Sequence, residues 1–232
     1  MQWILLHLLP KPETTLIVSA NHDSRNSHLV SLVKIQDTSI KGVSILHRNP
    51  LTDSRGLFER MFCHNELLSI MNSRTINQVN RTMTVKRGTL RGLHFQHPPY
   101  SELKLVSCLR GEVYDVAVDL RRDSPTFLKW HAEILSCKNN LSVIIPEGFA
   151  HGFQTLTEDC EMIYFHTAEF NAAAEGGVNS LDPRLAINWP ELVTVRSSRD
   201  ASIAFLENNF EGVKEWNGGL KEHQVPCNLC TF

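Results

Sequence analysis

The feature that most restricts how this chain can fold is a succession of short apolar segments after Asn77. LKLVSCLRG, EVYDVAVDL, KWHAEILS, LSVIIPEG, AHGFQTLT and EMIYFHTAEF follow one another, separated by Gly, Pro, Asn and Asp. Each has strand length and is bounded by turn formers, so a run of them at this spacing predicts an all-β sandwich or barrel. The clearest is EVYDVAVDL, in which Tyr114, Val116, Val118 and Leu120 alternate with Val113, Asp115, Ala117 and Asp119. A strand sends alternate side chains to opposite faces, so one face is wholly apolar and the other carries two carboxylates. Carboxylates are costly to desolvate, and a barrel interior that keeps them reads as a site rather than as a plain core.

The rest of the chain sorts around this β region. Residues 1–28 lack periodicity and contain SANHDSRNSH, which predicts a flexible extension outside the main fold. Apolar residues from Leu29 to Leu46, punctuated by Asp37 and Gly42, predict a strand pair, and the turn-prone NPLTDSRG follows. HNELLSIMN reads as a short helix with Asn65 as its N-cap, and SSRDASIAFLENN as a C-terminal helix capped by Ser197 or Ser198. The expected organisation is thus an extension over 1–28, one domain over 29–210 and a tail over 211–232. A chain of 232 residues with 42% hydrophobic content can bury a core of that size.

Charge and cysteine usage narrow the class. Lys plus Arg number 23 against 25 Asp plus Glu, a net charge of -2, so there is no global basic field for a nucleic-acid partner. No apolar run approaches the ~18–20 residues that span a bilayer, which argues against a membrane protein. MQWILLHLLPKPE lacks a basic start and a small-residue cleavage site, and Pro10 and Pro12 interrupt it, so the expected location is cytoplasmic. Six scattered cysteines in a chain of this length predict reduced thiols. Cys227 and Cys230 form a CxxC with only His223 nearby, short of the roughly four ligands of a zinc site.

Chemistry concentrates in two histidine segments. In RGTLRGLHFQHPP, Arg87 to Pro99, His94 lies three residues after Arg91 among Gly88, Gly92, Leu90, Leu93 and Phe95. Glycines permit close backbone approach, and a histidine in a partly dry pocket titrates near neutral pH, so the segment reads as a base beside an anion anchor. The second segment, IPEGFAHGF, contributes Pro146, Gly148 and His151 in the PxGxxH pattern that closes cupin barrels. The expected fold is therefore all-β, a cupin-type jelly-roll barrel with short flanking helices. Metal-binding cupins present HxH where this chain has HxxH. His94, His97, Glu102 and His151 nevertheless remain an alternative Fe, Mn or Zn ligand set, as in a metal-dependent cupin oxygenase or isomerase.

RGTLRGLHFQHPP, LKLVSCLRGEVYDVAVDLRRDSPTF, IIPEGFAHGFQTL and DPRLAINWP, in that order, resemble the dTDP-4-dehydrorhamnose 3,5-epimerase family over roughly Ile35 to Phe205. The resemblance implies a homodimeric barrel without metal or other cofactor. Its substrate would be a nucleotide-diphospho-4-keto-6-deoxyhexose, inverted at C3, C5 or both in deoxysugar biosynthesis for surface polysaccharide such as the O-antigen of lipopolysaccharide. Such inversion needs a base on one face of the carbon, stabilisation of the enolate, and an acid on the other face.

By resemblance His94 is the base, Asp200 its orienting carboxylate, Tyr164 the proton donor and Lys104 the cation near the keto oxygen. Arg55, Arg91 and Arg199 match or approximate cationic positions around the diphosphate and nucleotide, where a guanidinium suits phosphate oxygens. Gln78, Asn80, His151 and Glu175 fall on further substrate-contacting positions, although His151 reads equally as a buried partner of Asp115. Phe170 stands where the family often has a second tyrosine. DSRGLFER departs from the family pattern RGxFxE, with Arg60 in the glutamate's place and Glu59 one position earlier, which alternation points to the other face. That departure leaves a CDP- or GDP-linked sugar as an alternative substrate.

Overall fold

A computed structural model of the chain describes residues 32–214. The expected extension over 1–28, the first residues of the predicted domain and the Cys227/Cys230 pair lie outside the described residues. In chain order the elements are β1 (Val33–Asp37), β2 (Ser44–Arg48), β3 (Leu51–Asp53), β4 (Gly56–Phe58), α1 (Leu68–Met71), β5 (Gln78–Thr84), β6 (Leu90–Gln96), β7 (Lys104–Arg110), β8 (Glu112–Asp119), β9 (Trp130–Ser136), β10 (Leu141–Ile145), β11 (Phe149–Thr155), β12 (Cys160–His166), β13 (Glu175–Gly177) and α2 (Ser198–Ser202). Six strands in the order β1-β2-β10-β7-β12-β5 form one sheet, five in the order β13-β6-β11-β8-β9 form the other, and β3 and β4 make a separate hairpin. All pairings are antiparallel, and the two large sheets pack face to face as a cupin-type jelly roll.

The alternation in β8 explains how the layers assemble. Val113 and Ala117 point between the sheets, where they pack with Ile45, Val106, Val143, Phe149, Phe153 and Tyr164. Val116, Val118 and Leu120 point the other way and are covered by Val178, Leu185 and Val213 from the C-terminal part of the chain. Each buried Val or Leu removed from water contributes roughly 1.5–3 kcal/mol, so both faces of this sheet need a partner. The six-stranded sheet is covered likewise, Leu67 and Met71 packing onto Leu46, Leu103, Leu105 and Ile144. The two carboxylates of β8 part company. Asp115 is buried between the sheets, whereas Asp119 accepts from Arg121, Ser124 and Thr126 and organises the loop after its own strand.

Both predicted helices are shorter than their patterns. α1 holds four residues and its N-cap is Leu67 with no side-chain bond, not Asn65. Glu66 is engaged instead by Arg60, 3.2 Å away, and by the amide of Leu32. α2 ends at Ser202, where Ile203 turns extended. Tertiary bonds outcompete helix continuation there: Asn179 donates to the Ile203 carbonyl at 2.6 Å, and the Leu206 amide donates to Asp182 at 2.5 Å. The chain stays attached as far as Val213, whose amide donates to the Leu120 carbonyl.

Candidate active site

Between the sheets lies a cavity of about 470 Å³. His94 reaches it from β6, on the five-stranded sheet, and Tyr164 from β12, on the six-stranded sheet, so the two stand on opposite walls. Local geometry explains each position. Gly92 adopts φ +104, and a Cβ there would lie 2.7 Å from the His151 carbonyl oxygen, so only glycine lets β6 approach β11 this closely. Its free amide then donates to Asp200 Oδ2 at 3.2 Å, while His94 Nε2 meets Asp200 Oδ1 at 2.7 Å. Ser197 caps α2 by accepting from the Asp200 amide at 3.0 Å, which fixes the carboxylate at the first turn of that helix. In the neutral ring, donation from Nε2 to the carboxylate leaves Nδ1 unprotonated and able to take a proton.

Burial pushes the His94 imidazole below its usual 6.5, and the charges of Arg199 and Lys104 act in the same direction; the hydrogen bond and charge of Asp200 oppose them. A base has to be neutral to act. Activity is therefore expected to rise with pH through a limb centred below 6.5, and Asp200→Asn, by removing the upward pull, should move that limb to lower pH while reducing kcat; a kcat/KM profile of both proteins checks this. The folding linkage has the same sign. The unfolded chain takes up the proton before the folded one does, so stability is full above 6.5 and declines as pH falls towards the depressed folded value.

Tyr164 is buried, its hydroxyl 3.3 Å from Thr82 Oγ1, with the His151 ring edge-on at 6.1 Å between centroids and the His166 ring stacked at 6.1 Å. Burial raises its phenol well above the usual 10, against the pull of the Thr82 bond, so it stays protonated at any working pH. His151 Nε2 donates to Asp115 Oδ2 across 2.8 Å, both groups being nearly inaccessible, which satisfies the reading of it as a buried partner; it also lines the cavity. Lys104 extends from β7 to within 3.4 Å of the His94 carbonyl and 3.2 Å of Glu102.

Of the residues singled out in the sequence, His94, Tyr164, Asp200, Lys104, Asn80, Arg91, His151 and Arg199 line the cavity together. Arg91 is held against Thr84 at 3.0 Å. Glu175 pairs with Arg199, and Gln78 accepts from the amide of the exposed Phe170, so these two stand behind or beside the wall. Arg55 is elsewhere: it lies on the β3–β4 hairpin, paired with Asp53 and largely exposed. The alternative metal set is not gathered. His97 packs edge-on against Phe95, Glu102 binds His166 and His151 binds Asp115, and among the described residues no three His, Cys, Asp or Glu side chains form a cluster. Glu59 is taken by the buried Arg48 at 2.7 Å and Arg60 by Glu66. Sequence reasoning missed Thr82 and His166; the period of two in β12 would have found the latter, since Tyr164 and His166 share a face.

The family model described as dTDP-4-dehydrorhamnose 3,5-epimerase matches residues 37–208. The chain belongs to that family. A dTDP-4-dehydrorhamnose 3,5-epimerase of Sinorhizobium fredii is 39% identical over 183 residues, 77% of this chain and 94% of that protein. A dTDP-6-deoxy-D-glucose-3,5-epimerase of Legionella pneumophila, solved with dTDP-4-keto-L-rhamnose, superposes with a TM-score of 0.71 at 38% identity, over 75% of this chain and 92% of that one. A 3'-monoepimerase of Streptomyces bikiniensis, solved with dTDP-quinovose, gives 0.68 at 31% identity over 72% and 85%. The enzyme is accordingly an isomerase, a sugar epimerase. No helix among its described residues is long and apolar enough to cross a membrane.

Proposed function

We propose that the enzyme inverts C3, C5 or both in a dTDP-linked 4-keto-6-deoxyhexose, with His94 removing the proton beside the ketone and Tyr164 returning one to the opposite face. The observation that carries this is the placement of a base–carboxylate pair and a protonated phenol on facing walls of one cavity. Inversion differs from mere exchange in needing proton donors and acceptors on both faces of a planar enolate. Lys104, the buried cation beside the His94 backbone, stabilises the enolate oxygen, and Arg91 and Arg199, the exposed cations of the lining, receive the diphosphate. Gln78, Asn80 and Glu175 hold the binding surface around them.

The reading extends to a cytoplasmic homodimer supplying a deoxysugar for surface polysaccharide. Among the described residues β5 has no further strand beside it at its edge of the six-stranded sheet, and Val79 and Met83 on it are more than half exposed, so a second copy has backbone and apolar surface to cover. Light scattering should return twice 26.3 kDa.

NMR in D2O with dTDP-, CDP- and GDP-linked 4-keto-6-deoxyglucose tests the substrate. Deuterium at C3 or C5 with inversion is expected for the dTDP compound. Arg60 in place of the family's glutamate favours a second reading, in which the CDP- or GDP-sugar is turned over instead. Exchange with none of the three would sink both.

A further inference from the structure

Three histidine–carboxylate pairs line or back the cavity: the mechanism uses the first, His94 with Asp200, and the second, His151 with Asp115, is buried. The third is His166 with Glu102. Register places His166 directly opposite Lys104 on β7 and opposite Gln78 on β5, so Lys104, His166 and Gln78 form one row across three strands. Glu102 is shared along that row: its Oε1 is 3.2 Å from Lys104 Nζ and its Oε2 is 2.8 Å from His166 Nδ1. All three groups are nearly inaccessible, with side chains 9–11% exposed.

This arrangement assigns opposite polarities to neighbouring positions. Burial acts to raise Glu102, but the His166 hydrogen bond and the Lys104 charge outweigh it and hold the carboxyl below its usual range, so it is an acceptor only. Nδ1 of His166 must then donate, and in the neutral ring Nε2 is left with its lone pair. Asn80 Nδ2 approaches Nε2 only to 3.4 Å, longer than a good hydrogen bond, so Nε2 keeps capacity for a better donor. His166 is part of the cavity wall. The wall therefore presents a donor, Lys104 Nζ, beside an acceptor position, His166 Nε2.

We propose that His166, oriented by Glu102, is a specificity-determining residue whose Nε2 accepts a hydrogen bond from the substrate hydroxyl adjacent to the keto group, while Lys104 addresses the keto oxygen. The row reads an α-hydroxyketone: a carbonyl that needs a donor next to a hydroxyl that offers one. In a 4-keto-6-deoxyhexose that hydroxyl is on C3. The inference rests on the epimerase reading above.

The test compares dTDP-4-keto-6-deoxyglucose with its 3-deoxy counterpart, following deuterium uptake beside the keto group in D2O. A site that hydrogen-bonds a hydroxyl disfavours the analogue lacking it, so the wild type is expected to prefer the 3-hydroxy compound about tenfold in kcat/KM. His166→Phe keeps a ring stacked against Tyr164 but offers no acceptor, and should bring that ratio close to one. His166→Gln, whose amide oxygen can accept, should recover part of it. A wild-type ratio near one, or a ratio that His166→Phe leaves unchanged, overturns the proposal even while exchange proceeds, and the wild-type arm decides if a variant does not fold. Absence of exchange from both compounds with the wild type would instead remove the epimerase reading itself.

Discussion

Replacing His94 with asparagine is expected to lower kcat by about 10²–10⁴-fold and to stop solvent deuterium entering the substrate. The size follows from what is lost. His94 is the cavity group whose protonation is set, by burial against the Asp200 pair, to change below neutral pH, and Asp200 itself is buried, its carboxylate already accepting from the Gly92 amide. His151 is paired with Asp115 in the same way, but its side chain is almost wholly buried where that of His94 is one-third exposed, so it is not a substitute. Binding should survive, since Arg91, Arg199 and Lys104 are untouched, so the loss belongs in kcat and not in KM. The fold should survive too: His94 is one-third exposed and its neighbours Leu93 and Phe95 carry the packing. Deuterium uptake by His94→Asn at the wild-type rate would show that another group is the base.

How far the site could be read in advance depended on which interactions were local. The strands of the barrel follow from side-chain alternation, and β8 even announces the interior carboxylate, because period-two burial is written directly into EVYDVAVDL. His94 and Asp200, by contrast, are 106 residues apart, and nothing local to either segment says that they meet. The family resemblance supplied that pairing, and the structure gives it a cause in Gly92, which brings β6 against β11, and Ser197, which seats Asp200. The helices misled for the opposite reason. SSRDASIAFLENN has a sound cap and helical composition, yet Asn179 and Asp182 claim the backbone beyond Ser202, and such distant competitors outweigh a propensity of at most ~1 kcal/mol per residue. His166 escaped notice because a histidine on an apolar strand is ordinarily a core residue. Only the register against Lys104 and Gln78 shows the company it keeps.

Tyr164→Phe should separate exchange from inversion. Removing the hydroxyl leaves the ring packed between His151 and His166 and costs one long bond to Thr82, so a loss of stability of about 0.5–1.5 kcal/mol is expected. His94 still removes the proton and, once it has equilibrated with D2O, returns a deuteron to the face from which it came. The substrate therefore gains deuterium with its configuration retained, while formation of the inverted product falls by about 10²–10⁴-fold. The acidity of the phenol makes this outcome sharp. Burial raises Tyr164 so far that it donates only to a strong base such as an enolate carbon, and it is protonated at every working pH, so the wild type should show no basic limb from Tyr164 below pH ~10. Chiral analysis of the sugar alongside its deuterium content reads both quantities in one sample. Inversion continuing near the wild-type rate would mean that the proton reaches the far face from somewhere other than Tyr164.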